Sequence, residues 1–255
     1  MYPTLFTVSA IPVQSYAIFV LLAFVVAWRV RKTELARLGH RKWPGYHWVL
    51  VGALVGAVVG AKLGMFMFEP TLRIDQMLSL DFTGKTVVGG LIGGYLGVEL
   101  AKKRVGITQS TGDAFAVAVP LAQAVGRVGC LLNGCCYGTV FSGAWSMKLD
   151  EISRHPTQIY ESILLLLLAA WLWSIRQRPA PAGHLFRRYL VGYALIRFSL
   201  EFLRGDPSLH WGPLSIVQLV CLAAAVLFGA LIIRGERTGY SSEGPGSAPP
   251  DPATR

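Results

Sequence analysis

Long unbroken apolar runs, rather than alternating ones, dominate this chain. Seven of them, at residues 13–30, 47–68, 82–101, 112–132, 156–175, 189–203 and 213–233, approach the roughly 20 residues a helix needs to cross lipid. The third is short and rich in glycine, and the sixth carries Arg197 and Glu201 inside it. This pattern predicts an all-α integral membrane protein, a seven-transmembrane-helix bundle over residues 1–238. The remaining stretch, 239–255, is rich in Ser, Gly and Pro without apolar periodicity and reads as a disordered tail.

Composition agrees with this reading: 53% of the 255 residues are hydrophobic and 15% charged, against about 25% charged in soluble domains. A net charge of +10 would suit a nucleic-acid binder if the basic residues formed one patch. Instead they fall in short clusters between the apolar runs, so nucleic acid is not an expected partner. Arg29, Arg31, Lys32, Arg37, Arg41 and Lys42 follow the first run, Lys102, Lys103 and Arg104 the third, Arg176, Arg178, Arg187 and Arg188 the fifth, and Arg234 and Arg237 the seventh. Every odd run ends in positive charge, which predicts an N-terminus outside and a C-terminus, with its tail, in the cytoplasm. The first ten residues lack a basic region, and no small-residue cleavage site follows the first run, so it is expected to be retained. The outward loops are then 69–81, 133–155 and 204–212.

Glycines at 52, 56, 60 and 64, and again at 89, 93 and 97, recur every fourth residue. Such spacing lets helix backbones approach closely in lipid, whereas a nucleotide-binding role would need a preceding strand and a different register.

Charges inside apolar helices are costly and usually functional. Lys62, Arg127, Arg197 and Glu201 are such charges, and at 1.5 Å per residue Arg197 lies roughly 10 Å below the outer end of its helix. Arg197 and Glu201 are four apart and share a face, and Arg204 continues the basic series at the rim. Two readings stand. The arginines are internal glue held by Glu201, Glu161 or helix carbonyls, or they form an anion site in the outer half of the bundle, where guanidinium forks match phosphate oxygens. At this depth a phosphate belongs to a lipid headgroup.

Polar residues concentrate between Gly126 and Glu161. Glycines at 126, 129, 134 and 138 predict a helix that ends and turns sharply, leaving amides free for an anion, with Asn133 and Tyr137 as neutral hydrogen-bonding groups. His155, just before Pro156, stands where a helix cap or an active-site base would stand. Gln158 and Glu161, three apart on the same helix, either orient a headgroup or satisfy each other. Cys130, Cys135 and Cys136 face the outer side, where a disulfide from Cys130 to one of the other two is one outcome. Zinc with His155 matches no standard ligand spacing, and Cys221 reads as a small apolar residue.

The block Gly126–Gly138, the run His155-Pro156-Thr157-Gln158-Ile159-Tyr160-Glu161, and Gly192-Tyr193 leading to Arg197-Phe198 and Glu201-Phe202 resemble the prolipoprotein diacylglyceryl transferase family, with motif order kept from about Tyr16 to Gln218. The resemblance implies transfer of the diacylglyceryl group of phosphatidylglycerol to the lipobox cysteine of prolipoprotein signal peptides, at the bacterial cytoplasmic (inner) membrane. It implies no cofactor and no metal, and partners that are phosphatidylglycerol, the signal peptides and membrane lipid. Residue by residue, it makes Arg197, Arg127, Glu201 and Tyr193 catalytic, with His155 as a further candidate. It places Tyr16, Lys62, Gly89, Gly90 and Gly138 at the substrate, beside Asn133, Gln158, Glu161 and Arg204 from the reading above.

Three departures accompany it. Lys62 stands where the family usually has arginine. Val88-Gly89-Gly90 stands where it has His-Gly-Gly, whose histidine is the leading candidate for the base. Cys130 and Cys135 replace an asparagine and a glutamate. The base would then be His155, Glu201 or a cysteine thiolate. The alternatives are a non-catalytic paralogue that binds phospholipid or lipoprotein in the same cavity, and a thiol-redox membrane protein using Cys135 and Cys136.

Overall fold

Each apolar run becomes a helix in the computed structural model, which describes residues 3–8, 11–39, 45–67, 86–149, 151–205 and 209–237. The helices are α1 (Ser15–Arg37), α2 (Tyr46–Leu63), α3 (Val87–Val105), α4 (Ala118–Asn133), α5 (Thr157–Ile175), α6 (His184–Glu201) and α7 (Ile216–Arg237). Three of them, over Tyr46–Leu63, Thr157–Ile175 and Ile216–Gly235, are long and apolar enough to cross a membrane. The other four are shorter or carry more charge. The expected outward loop 69–81 and the tail 239–255 lie outside the described residues.

The all-α expectation needs one correction. Among the described residues there are three two-stranded antiparallel pairs, one before α1 and two between helices: β1 (Thr4–Val8) with β2 (Ile11–Gln14), β3 (Met147–Leu149) with β4 (Ile152–Arg154), and β5 (His210–Trp211) with β6 (Leu214–Ser215). Each is too short to register as a period-2 pattern among longer apolar runs.

Helix ends also shift. α1 runs through its basic cluster to Arg37, since Lys and Arg are good helix formers and favour a C-terminal turn. α4 begins at Ala118 rather than near 112, because Gly112–Ala114 winds as a short 3-10 turn. In that turn Asp113 accepts from the backbone amides of Gly183 and Phe186, at 2.7 and 2.9 Å, capping α6. That cap starts α6 at His184, five residues before the apolar run suggested.

The chain divides into two compact units. The first contains α1 to Glu34, α4, α5, α6 and most of α7, with the hairpins β1–β2 and β3–β4. In it, α5 shows a dry face and a lipid-like face: Leu165, Leu168, Ala169 and Leu172 are buried, while Ile163, Leu166, Leu167, Trp171 and Trp173 are exposed. A helix apolar on every side belongs in lipid or in a deep core, and so much exposed aromatic and aliphatic surface suits lipid.

The second unit is organised by α2 against α3. A Cβ on Gly52, Gly56 or Gly60 would collide with the carbonyl oxygens of Gly97, Gly93 and Gly89 respectively, so the two backbones touch along the predicted glycine stripe. Thr86 caps α3 by accepting from the Gly89 amide at 3.1 Å.

Candidate functional site

Four elements of the first unit meet at its polar centre. α4 supplies Arg127, whose Nη2 donates to Glu161 Oε1 of α5 at 2.7 Å, with both residues buried. α6 supplies Arg197, whose Nη1 lies 2.6 Å from Glu201 Oε2 one turn on. The turn after α4 supplies the cysteines. α1 supplies Tyr16, brought in because Gly129 of α4 has no side chain: a Cβ there would stand 2.8 Å from Phe19 Cβ and 3.5 Å from Tyr16 Cα.

Between the two ion pairs sits Tyr193. It is 3% exposed, the charges of Glu161, Arg127 and Arg197 all act on it, and its hydroxyl has no hydrogen-bond partner. One turn back on α6, Tyr189 is equally buried but donates to Gln123 Oε1 at 3.0 Å. Gln158 shows the same asymmetry within one side chain: its Nε2 donates to the Cys135 carbonyl at 2.7 Å, and its Oε1 has no partner. Buried polar atoms are nearly always satisfied, so the open Tyr193 hydroxyl and Gln158 Oε1 stand out among the charged groups of this unit.

The turn at the end of α4 is locally determined. Gly134 takes φ 72° and closes the helix, and the Cys135 amide donates back to the Cys130 carbonyl at 3.2 Å. Cys136 then sits at φ 60°, a left-handed conformation rare for a side-chain-bearing residue. α5 holds this turn from the other side, with Thr157 Oγ1 donating to the Cys136 carbonyl at 2.8 Å beside the Gln158 bond. Thr157 was not among the expected site residues; the signal was its place immediately after Pro156, where a first-turn hydroxyl can reach out of the helix.

Beyond the turn, residues 137–141 run between two neighbours. The Gly138 amide donates to the His155 carbonyl at 3.0 Å, the Thr139 amide to the Leu203 carbonyl at 2.8 Å, and Gly138 pairs with Arg204 as an antiparallel bridge. A Cβ at Gly138 would lie 2.5 Å from His155 Cβ and 2.9 Å from the Leu203 oxygen. Only glycine fits this crossing, and Gly138 is held there by its backbone. His155 stacks on Phe141 with ring centroids 3.9 Å apart and shares a 3.2 Å hydrogen bond between Nδ1 and the Tyr160 hydroxyl.

All four cysteines are free thiols, so the disulfide considered for Cys130 is not formed, and His155 does not join the thiols. The sulfur atoms of Cys130, Cys135 and Cys136 lie within 4.8 Å of one another. Hydrogen bonds from Cys130 and Cys135, aided by the charges of Arg127 and Arg204, hold the Cys136 thiol well below its ordinary pKa against the effect of burial. Cys135 moves the other way: its bond with Cys130 lowers it, but its bond to Cys136 and burial raise it more.

Of the fourteen expected site residues, eleven belong to this unit: Tyr16, Arg127, Asn133, Gly138, His155, Gln158, Glu161, Tyr193, Arg197, Glu201 and Arg204. Asn133, the last residue of α4, lies against the Cys135 side chain. The other three belong to the second unit. There Gly89 is buried against Gly60 and Gly64, Gly90 follows it in the first turn of α3, and Lys62 is in the last turn of α2. A cavity of about 420 Å³, walled by Leu131, Trp145, Lys148 and Ile159 among others, opens beside the polar centre; none of the arginines lines it.

Comparison with known proteins places most of the chain. The profile of the family described as prolipoprotein diacylglyceryl transferase matches residues 3–234. A phosphatidylglycerol–prolipoprotein diacylglyceryl transferase of Clostridium tetani (strain Massachusetts / E88) is 30% identical over 237 residues, covering 89% of this chain and 95% of that protein. A protein of the same description from Nitratidesulfovibrio vulgaris (strain DP4) is 28% identical over 254 residues, covering 91% and 93%. One from Dehalococcoides mccartyi (strain ATCC BAA-2266 / KCTC 15142 / 195) is 36% identical over 162 residues, covering 58% and 62%.

Proposed function

The chain belongs to the prolipoprotein diacylglyceryl transferase family, and from that premise we propose how its polar centre carries the transfer. It is a membrane transferase that moves a diacylglyceryl group from phosphatidylglycerol to prolipoproteins. In our reading the acceptor is the thiol of a lipobox cysteine in the signal peptide, and the leaving group is glycerol phosphate. The reaction has two demands: the thiol must ionise, and the phosphate ester must leave with its electron pair.

The second demand is matched by the arginines. Arg127 of α4 and Arg197 of α6 both act on Tyr193, and each is steadied by one carboxylate, Glu161 and Glu201. Arg204, whose charge also reaches the Cys136 turn, adds a third cation at the rim. Each guanidinium keeps donors beyond those used by its glutamate, so a phosphate can bind without breaking either pair. Donors fixed in a water-poor site before the reaction stabilise developing charge without reorganising.

The observation that carries this reading is the unpartnered Tyr193 hydroxyl among those charges. A phosphate oxygen bridging the arginines would accept its proton. Tyr16, against the turn, and Gln158 Oε1 complete the polar wall, with Gln158 accepting from a glycerol hydroxyl. Lys62, Gly89 and Gly90 have no assigned step in this scheme.

In the same reading the seven helices are seven spans of the bacterial cytoplasmic membrane, with the N-terminus outside. The basic cluster at or just past the end of every odd helix supports that orientation. The decisive experiment is transfer in detergent: purified protein, phosphatidylglycerol and a lipobox peptide, with the thioether product followed by mass spectrometry. Product that vanishes in Arg197→Ala supports the assignment. Undiminished product from that variant removes Arg197 from the mechanism.

A further inference from the structure

We propose that Cys130, Cys135 and Cys136 form a three-thiolate zinc site whose open fourth position takes the acceptor thiol. The site deepens the transferase reading and rests on it for its chemistry, though not for its geometry.

The geometry is already close to that of a metal site. Zinc binds thiolate sulfur at about 2.3 Å, which in a tetrahedron sets neighbouring sulfurs about 3.8 Å apart; here all three lie within 4.8 Å of one another. Their sequence spacing is no standard ligand motif. Proximity comes from the fold: Gly134 reverses the chain after Cys130, and Cys136 is held at φ 60°. A side-chain-bearing residue held there costs about 1–3 kcal/mol and persists only when its surroundings enforce it. Thr157 and Gln158 do so by gripping the carbonyls of Cys136 and Cys135. The backbone is thus clamped from outside with the three sulfurs left together and unoxidised.

The choice of ion follows from ligand chemistry and charge. Three soft donors exclude magnesium and calcium and select zinc or copper(I). Three thiolates with zinc carry one negative charge, and Arg127 offsets it with Nη1 3.9 Å from Cys130 Sγ. Copper(I) would leave two negative charges and is content with three sulfurs. Zinc wants a fourth ligand, and among the described residues no His, Asp or Glu joins the group. A structural zinc site is closed by four protein ligands, whereas three with an open position is the arrangement of a catalytic one.

An open position beside the arginines meets the first demand of the reaction. The acceptor thiol displaces a zinc-bound water, gives its proton to solvent and becomes a zinc thiolate, since a coordinating thiol is deprotonated outright. Its sulfur lone pair then forms the C–S bond to the glyceryl carbon. The C–O bond breaks, and its electron pair leaves with the phosphate oxygen toward Arg127 and Arg197. The product thioether is neutral and a poor ligand, so it departs and water returns. Zinc remains Zn(II) throughout, and no external base is required.

The test uses reduced full-length protein in detergent, stripped of metal with a chelator. Cadmium is the probe, read by its thiolate charge-transfer absorption, with transfer assayed on the same samples. The expected result is stoichiometric cadmium uptake, a band altered by a lipobox cysteine peptide but not by its serine analogue, and transfer lost on stripping and restored by zinc. Losing an outer-shell partner of a metal ligand already costs about 10–100-fold in affinity, so Cys136→Ser should lose more than ~100-fold. Arg197→Ala should keep cadmium while losing transfer. No thiolate band in folded wild-type protein would overturn the site. Full transfer after stripping would overturn its role in the reaction. A cadmium-loaded protein whose band responds to the peptide thiol, but whose zinc-loaded form yields no product, would uphold the site and defeat the transferase reading instead.

Discussion

The first unit carries charged side chains at both ends of its helices, and the two ends use them differently. Glu161 lies in the second turn of α5 and Arg176 just past its end, about 22 Å apart at 1.5 Å per residue. At the Arg176 end four charged residues close structural contacts. Glu34 pairs with Arg176 at 3.2 Å, Arg31 lies over the Phe115 ring at 5.8 Å, and both oxygens of Asp113 cap α6. At the Glu161 end the arginines are also paired, but a buried tyrosine hydroxyl and an amide oxygen remain without partners. Buried ion pairs alone therefore do not distinguish a site from a latch, and neither does an open neutral group alone, since Thr111 Oγ1 is buried without a partner at the Arg176 end. What sets the Glu161 end apart is an open hydroxyl on which Glu161, Arg127 and Arg197 all act.

The largest effect that would sharpen this contrast is on catalysis. Arg197→Ala should reduce transfer by about 10²–10³-fold, the usual loss when one preorganised donor to developing negative charge is removed. Arg197→Lys should recover only part of it, because the charge returns without the fork. If the loss is no greater than for Arg176→Ala, the two ends are equivalent and the assignment of the site fails. Initial rates at saturating phosphatidylglycerol provide the measurement.

Next in size is stability. Glu161→Ala leaves the Arg127 charge buried without its partner, which should cost about 3–5 kcal/mol and lower both the unfolding midpoint and transfer. Glu34→Ala at the opposite end should also lower the midpoint, yet leave kcat unchanged in the molecules that remain folded. A Glu34 variant with reduced kcat at full folding would show that the latch is coupled to the chemistry.

Smaller again is the cap. Asp113→Ala removes both acceptors for the first amides of α6 and should cost about 1–2 kcal/mol. Hydrogen exchange should quicken at Gly183 and Phe186 and stay slow near Arg197, if the two ends open independently.

How legible these ends were in the sequence differs for the same physical reason. Helices announce themselves through apolar length, so seven runs gave seven helices, and the glycine stripe of α2 and α3 was readable because a four-residue repeat has one steric meaning in lipid. The arginines stood out because charge within an apolar run needs explaining. Asp113 and Thr157 did not. Each works by bonding backbone far away in sequence, Asp113 seventy residues on, and no local pattern records that. The thiol cluster was seen as three cysteines but not as three converging sulfurs, since convergence depends on the left-handed Cys136 and on the grip of α5. The tyrosines of α6 illustrate the limit. Tyr189 and Tyr193 look interchangeable in sequence, one helical turn apart, and only the fold shows that one hydroxyl is satisfied and the other is not.

That pair yields the smallest and most specific test. Tyr189→Phe removes a made hydrogen bond and strands the acceptor Gln123, so stability should fall by about 1 kcal/mol with transfer unchanged. Tyr193→Phe removes a buried hydroxyl that has no partner while no lipid is bound. Leaving such a group unsatisfied costs about 1–3 kcal/mol, so the phenylalanine variant should be more stable than the wild type in lipid-free detergent. It should also transfer more slowly, because the phosphate loses a donor. Added phosphatidylglycerol should then raise the wild-type unfolding midpoint more than that of the variant, narrowing or reversing the gap. Opposite signs in stability and activity from one oxygen atom are expected only of a group held ready for substrate. If Tyr193→Phe destabilises the lipid-free protein as Tyr189→Phe does, the hydroxyl has a structural partner after all, and the observation that separates the two ends of the unit is gone.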